Sequence, residues 1–507
     1  MRIVYCLFIL PLLCCEIHGA KILAGFPVDA LSHLYSIASY LKTLANDGHH
    51  ITVLHTGKLN PVKFDHPNIT VHYVHMDSDE DVVSFVNGFL WKRSSHAVEP
   101  PMVMAMGDVY VHKLLDDNSE SVYKLMNAHY DLIIVEQLFN PIMYSLAKYH
   151  KRKNGTPYIQ YSSSHPLEAD AMASGIGRSW AAKMSLFVPI PKDSCDVYKP
   201  TDFLERLINF FEHFADYFLH TFAHYWTFAG IRRFGLEDFD FKSLRDDSSL
   251  YLSDHFRGFE ANPLAYDFRL TGAYCQGSLA KPLPDDLEQF VSDPTSKGTI
   301  YLAFGSLVRW SSAPQHISES IFGALNELRD YRVLISSKGM PKTVKMKKHV
   351  KVLDWAPQVS ILEHNKTRVF LSHGGLKSVK EAICSKTPVV YIPLFAEQAH
   401  NARQMTKLGI ATLINKYTLN KSVVLKEVKK VLKNPLYQQR MGRFHAYFSD
   451  QPIPDLNLAS HLTNRIIKKK GKDVWYPRKG QFVGWLDYLY LVQSAFLASL
   501  LCLVATK

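Results

Sequence analysis

The residues best suited to chemistry lie between Trp355 and Asn401. At their centre His373-Gly374-Gly375 follows the apolar, β-branched run TRVFLS (Thr367–Ser372), and Ser378 to Ser385 has helical spacing, with Val379, Ala382 and Ile383 on one face. An apolar run bounded by polar residues reads as a buried parallel strand. Two glycines let the backbone turn sharply and approach a ligand closely. PVVYIPL (Pro388–Leu394) reads as the next buried strand. Strand, glycine turn and helix present backbone N–H groups and a positive helix end at the carboxyl edge of a parallel sheet, where α/β folds hold phosphate. A glycine turn alone is also found in many ordinary βα connections. Here Trp355, Gln358, Glu381, Glu397 and Gln398 surround it. Gly305-Ser306 ends another strand-like run, where an N–H and a hydroxyl can meet a phosphate. His33 stands in the first helical turn after KILAGF (Lys21–Phe26), at a sheet's carboxyl end facing the crevice.

The order and spacing of these pieces carry a resemblance. W-x-P-Q at Trp355 to Gln358, H-G-G at His373 to Gly375, E-A at Glu381, I-P-L-F-x-[DE]-Q at Ile392 to Gln398, and then Asn401 resemble the donor signature of animal UDP-glycosyltransferases. That family comprises membrane-bound glucuronosyl- and glucosyltransferases. The form H-G-G-L-x-S, ending at Ser378, is similar to the nematode branch. The resemblance spans nearly the whole chain and is strongest from Gly298 to Pro452.

The resemblance implies a role for each matched residue. Trp355 would stack on uracil, a task for a flat apolar ring. Gln358 would read base or ribose, and Glu381 would accept both ribose hydroxyls. His373 and the backbone at Gly374 and Gly375 would hold the diphosphate, Gly305-Ser306 could meet a phosphate, and Ser378 belongs to the same UDP-sugar site. Glu397 and Gln398 would hold sugar hydroxyls. Oriented donors and the helix end then stabilise the leaving UDP with no metal and no cofactor. A family strand like YDLIIVEQ (Tyr130–Gln137) ends in an acid that orients the catalytic histidine. This makes His33 the general base and Glu136 its partner, as in hydrolytic triads. The implied reaction is an in-line displacement, inverting at the anomeric carbon, from UDP-glucose or UDP-glucuronate to a hydroxyl of a small lipophilic acceptor. Three positions depart from the pattern: Glu136 and Glu397, where most relatives carry Asp, and Lys377, where Asn or Gly is usual. They support a rival reading, a membrane-anchored UDP-sugar-binding protein without turnover. A ceramide or sterol transferase is a third reading with the same site.

The elements that must position these residues form an α/β pattern. KILAGF, a helical stripe from Leu34 to Leu44 with Ser32 as N-cap, and HITVLH (His50–His55) open a βαβ unit. TPYIQYS (Thr156–Ser162) continues that sheet. GTIYLAFGS (Gly298–Ser306), a helix from Gln315 to Arg329, YRVLISS (Tyr331–Ser337) and VKVLDW begin a second one. The expectation is a GT-B arrangement of two facing doubly wound, Rossmann-like domains with a C-terminal transmembrane helix. Its boundaries are 1–20 signal peptide, 21–275 acceptor domain, 276–297 linker, 298–460 donor domain, 461–487 juxtamembrane segment and 488–506 span. The stretch Phe203 to Phe234, rich in Phe, His and Tyr, reads as acceptor-pocket lining, as a membrane-leaning face or as plain core.

Composition bounds the compartment. The chain has 507 residues, 47% hydrophobic, 21% charged, with a formal charge of +11, which suits two or three domains with large cores. Arg2, the apolar run Ile3 to Cys15 and Gly19-Ala20 read as a secretory signal. Tyr488 to Thr506 lacks charge and is long enough to span a bilayer. A single-pass protein with a luminal body follows, with the endoplasmic reticulum membrane as the expected compartment. Lys507 alone stands where the family often has a dilysine tail. Outside signal and span, Cys195, Cys275 and Cys384 allow one disulfide at most. Asn68, Asn154, Asn365 and Asn420 are glycosylation candidates. Asp77-Ser78-Asp79 and Asp238-Phe239-Asp240 have the D-x-D form of metal-dependent transferases, but acidic helix starts favoured by the dipole account for them. The basic charge, without aromatic-basic interleaving, indicates solvent or lipid heads and no nucleic acid. A homo-oligomer is left open.

Overall fold

Two parallel sheets carry the chain. The first runs in the order β3-β2-β1-β4-β5-β6-β7 and the second in the order β10-β9-β8-β11-β12-β13. The strands are β1 (Lys21–Gly25), β2 (His50–Gly57), β3 (Ile69–His75), β4 (Leu132–Glu136), β5 (Tyr158–Ser162), β6 (Leu250–Ser253) and β7 (Phe268–Leu270) in the first sheet. The second has β8 (Thr299–Ala303), β9 (Arg332–Ser336), β10 (Val350–Leu353), β11 (Thr367–Ser372), β12 (Val389–Tyr391) and β13 (Ala411–Leu413). The computed structural model describes residues 19–26, 31–58, 61–77, 88, 90–92, 99–138, 140–173, 180, 184–186, 198–222, 225, 228–257, 267–275, 281–337, 339–340, 344–471, 486 and 490–505.

Each sheet is covered on both faces, so its central strands are apolar throughout. Successive side chains point to opposite faces. Leu23 of β1 enters one core of the first sheet, and Ile22 and Ala24 enter the other. In β11, Val369 and Leu371 face one core of the second sheet and Phe370 the other. In both sheets the strand order reverses at the first strand, between β1 and β4 and between β8 and β11. Doubly wound folds bind ligands at such reversals, outside the carboxyl ends of the strands.

The sequence reading and the structure differ in detail. The first helix, Leu31–Asn46, already includes Leu31, so Ser32 is inside its first turn and not at its cap. Strands β3, β6, β7 and β13 were not anticipated; they are short or mixed in polarity. Within the stretch read as linker, Asp285–Val291 is a helix that buries Leu287 and Val291 in the second domain's core. Helix Asp455–Lys469 returns to the first domain, so residues 455–460 and the start of the expected juxtamembrane segment pack there. Ala459 and Ile466 join that domain's core, and Thr463 bonds Tyr40 of helix Leu31–Asn46 at 2.6 Å.

The C-terminal apolar stretch forms helix Leu491–Ala505, of 15 residues. That is about 22 Å of helix against roughly 30 Å of hydrocarbon. Among the described residues no helix is long and apolar enough to cross a membrane. The expected span, Tyr488–Thr506, runs past this helix into residues outside the described set, where the expected signal peptide also largely falls.

Candidate active site

The second sheet's reversal builds a cradle around His373. Gly305 follows β8 with φ 75° and Gly374 follows β11 with φ 97°, a left-handed backbone that other residues rarely adopt. A Cβ on Gly305 would stand 3.1 Å from the His373 ring, and one on Gly375 would stand 2.9 Å from it. The imidazole is thus clasped between two glycines. Its Nδ1 is buried and makes no hydrogen bond among the described residues, a state that calls for an explanation such as a bound ligand. Burial pulls the His373 pKa down to about 4, so at neutral pH the ring is an uncharged donor. Gly375 is the N-cap of helix Leu376–Cys384, whose positive end adds to the cradle. Ser306 is exposed beside Gly305.

Beyond the cradle, Gln358, Ser378 and Glu381 form one network. The Gln358 amide donates to Glu381 Oε2 at 2.5 Å and to Ser378 Oγ at 3.2 Å, and accepts from the Tyr301 hydroxyl at 3.2 Å. Burial raises the Glu381 pKa. Trp355 is 60% exposed, so its ring is open for stacking and is not part of the core. Gln398 is buried and its Oε1 accepts from the N–H groups of Leu394 and Phe395. That oxygen shapes the loop beneath the cradle. Asn401 donates to the Gly374 carbonyl at 2.9 Å and bonds His165 of the first domain at 3.2 Å.

The first sheet's reversal holds the second half of the site. His33 Nδ1 lies 3.1 Å from Glu136 Oε1 and 2.7 Å from Ser163 Oγ. Glu136 is buried and also accepts from Leu138 N at 2.9 Å, Ser163 N at 3.3 Å and Ser163 Oγ at 2.7 Å. An ionised carboxylate only accepts, so His33 presents Nδ1–H to it and its lone pair sits on Nε2. Burial lowers the His33 pKa, but the charge and hydrogen bond of Glu136, with Glu397 adding, outweigh burial and leave it raised. Glu397 comes from the second domain. Burial raises its own pKa, opposed in part by the His33 charge.

Sequence reasoning missed Ser163. It follows β5, the neighbour of β4, and only that pairing shows that it reaches Glu136. Lys377 is partly buried. Its ammonium reaches across the cleft to the Tyr35 ring at 4.3 Å and lies 3.8 Å from Glu381. Behind it Lys380 pairs with Asp254 at 2.6 Å, both buried, and covers the Tyr274 ring at 3.9 Å. Breaking a buried pair of this kind costs about 3–5 kcal/mol. The second D-x-D sequence is occupied locally: Asp238 pairs with Arg152 at 2.6 Å, and Asp240 caps helix Phe241–Asp247. Asp77 is exposed beside His75, and Asp79 lies outside the described residues.

Two reversal-point sites are thus present, one with a histidine–carboxylate pair and one with a glycine cradle. The model of the family described as UDP-glucoronosyl and UDP-glucosyl transferase matches residues 20–507. The chain belongs to this family. UDP-glucosyltransferase 2 of Dactylopius coccus is 26% identical over 96% of the chain and 91% of its own length. UDP-glucuronosyltransferase 2A3 of Cavia porcellus is 24% identical over 91% of the chain and 87% of its own length. The 2-hydroxyacylsphingosine 1-beta-galactosyltransferase of Homo sapiens is 32% identical, over 38% of the chain and 35% of its own length. The solved structure of Arabidopsis thaliana UGT89C1 superposes with a TM-score of 0.57 at 15% identity, covering 89% of this chain and all of that one. The calicheamicin glycosyltransferase CalG4 does so with 0.53 at 14%, covering 90% and 98%. These last two establish the GT-B fold. The protein is a UDP-glycosyltransferase in family and architecture.

Proposed function

We propose that this UDP-glycosyltransferase moves glucose or glucuronate from the UDP-sugar to a hydroxyl of a small lipophilic acceptor, with inversion and without a metal. The observation that carries the reading is His33 held by Glu136 at one sheet reversal, within the field of Glu397 from the other domain. His33 Nε2 takes the acceptor proton as the oxygen attacks the anomeric carbon. Glu136 and Ser163 fix the tautomer, and Glu136 stabilises the imidazolium. On the donor side His373 and the helix end at Gly375 receive the diphosphate charge. Glu381, Gln358 and Ser378 hold the ribose, and Trp355 stacks on the base. Glu397, with Gln398 bracing its loop, meets the sugar hydroxyls.

Release of UDP is to be measured with UDP-glucose and UDP-glucuronate against a panel of phenols. His33→Ala should lower turnover by about 10²–10⁴, leave UDP affinity intact, and spare the most acidic phenols. An equal loss for every acceptor together with lost UDP binding would make His33 structural. No turnover with either sugar would favour the binding-protein reading. We further infer a luminal body anchored by the Tyr488–Thr506 stretch, supported by its lack of charge and by the exposed apolar helix within it. Protease protection in sealed microsomes tests this.

A further inference from the structure

We propose that His165 is a positioning residue for the transfer, a bridge of fixed length that ties the turn receiving the diphosphate to the loop holding the base. The proposal rests on the roles of His33 and His373 given above. Asn401 is buried, and its Nδ2 donates to the Gly374 carbonyl at 2.9 Å. A carboxamide oxygen only accepts. Oδ1 therefore turns the other way and accepts the Nε2–H of His165 at 3.2 Å. One amide thus joins the cradle turn to the first domain.

The first-domain end of the bridge is stiff. His165 stands two residues after Ser163, whose hydroxyl lies 2.7 Å from His33 Nδ1 and 2.7 Å from Glu136 Oε1. The loop between them is held by its own hydroxyls. Ser162 Oγ is shared between the Ser164 and His165 carbonyls at 3.0 and 3.3 Å, and Ser164 Oγ donates to the His165 carbonyl at 3.1 Å. Ser253 Oγ, at the end of β6, donates to the Ser164 carbonyl at 2.9 Å. Displacing the loop beside the base therefore carries His165 with it.

The ring is gripped as well as bonded. The His165 imidazole is buried. Its centre lies 3.6 Å from that of His255, just after β6, and 4.6 Å from that of His400, in helix Gln398–Lys407 of the second domain. His255 is itself tied by Nδ1 to the Phe256 carbonyl at 3.0 Å. A continuous path thus runs from His33 through Ser163, the loop and His165 to Asn401, Gly374 and the cradle. An in-line displacement needs its reacting atoms about 3–3.5 Å apart and aligned, and an error of about 1 Å can cost about 10²-fold. The base and the cradle come from different domains, so a contact between the domains has to set that distance.

The test compares His165→Ala, His165→Phe and His165→Gln in the full-length protein. It reads kcat on the phenol panel, UDP affinity by titration calorimetry, and amide hydrogen exchange at residues 162–165 and 372–376. A glutamine side chain sets an N–H close to where Nε2 stands; a phenylalanine ring fills the space and donates nothing. In His165→Ala and His165→Phe, kcat should fall by about 10²-fold while UDP affinity holds, because Asn401 still grips Gly374. The fall should be equal for every phenol, since a displaced anomeric carbon penalises any attacking oxygen, whereas loss of the base spares the acidic ones. Exchange at both segments should quicken together, and His165→Gln should restore both readouts. Recovery in His165→Phe as complete as in His165→Gln would reduce the residue to packing and overturn the proposal. Parent-like kcat in all three variants, or UDP affinity lost along with kcat, would overturn it too. Exchange needs no turnover, so an inactive parent would count against the proposed transfer alone, and segments that exchange independently of position 165 would still sink the bridge.

Discussion

At the scale of single residues, the site depends on what each neighbour does to a proton. His33 is useful as a base only when neutral. Its pKa is raised above the ordinary 6.5, burial being outweighed by Glu136 and Glu397, so the acid limb of kcat/KM should lie above that value. Glu136→Gln removes the carboxylate charge that outweighs burial. The limb should then move down in pH, while turnover at high pH falls less than in His33→Ala. A pH–rate profile of both variants decides it; an unmoved limb would detach Glu136 from the base. The motif identified His33, Glu136 and Glu397 as candidates, but their mutual influence was not legible. It arises from two domains meeting, and Glu397 is 364 positions from His33 in sequence, the difference between their residue numbers.

At the scale of elements, two βα turns do most of the positioning. Gly375 has an ordinary φ of −60°, so alanine there costs no backbone strain, and its Cβ would meet only the His373 ring at 2.9 Å. Gly375→Ala therefore isolates the cradle. UDP affinity should weaken about tenfold, equal to about 1.4 kcal/mol, with the melting temperature nearly unchanged. Titration calorimetry reads the first and thermal unfolding the second. This turn was legible in sequence because strand, glycines and helix are contiguous: β11 covers the same Thr367–Ser372 run read as a strand. The direction of helix Phe203–Phe222 was not. Its composition fitted pocket, membrane and core alike, and only the packed structure shows which side of the helix is buried.

At the scale of the whole molecule, the domains are joined by more than the linker. Cys275, just beyond β7, forms a disulfide with Cys384 at the end of the helix that begins at Gly375, closing a loop of sequence separation 109. Losing such a link typically costs about 2–5 kcal/mol. Cys275→Ser should lower the melting temperature and weaken UDP binding together, because the helix loses its far anchor. Unchanged UDP affinity would confine the disulfide to stability. Asp455, which starts the helix returning to the first domain, accepts from Ala273 N at 2.7 Å, and burial lifts its pKa to about 6. A carboxylate whose folded pKa lies above its unfolded value stabilises the fold when protonated. That stability is full below the unfolded value near 3.8 and is lost as pH rises through about 6. Asp455→Asn keeps an acceptor without the charge. It should melt above the parent at pH 8, with the gap closing by pH 4, as calorimetry would show.

What the sequence determined alone was local: apolar runs of strand length, a glycine turn between strand and helix, and a spaced signature from Trp355 to Asn401. These depend on a few adjacent residues, whose periodicity and backbone freedom set their conformation whatever surrounds them. The tertiary structure decided the pairings between distant segments. It set Ser163 beside Glu136 through the β4–β5 neighbourhood, sent Lys377 to Tyr35 across the cleft, joined Cys275 to Cys384 and turned the phenylalanines of helix Phe203–Phe222 outward. Each of these depends on which surfaces meet when both sheets are covered. The energy that orders them comes from burial and hydrogen bonding among residues far apart in the chain, and no local pattern records it.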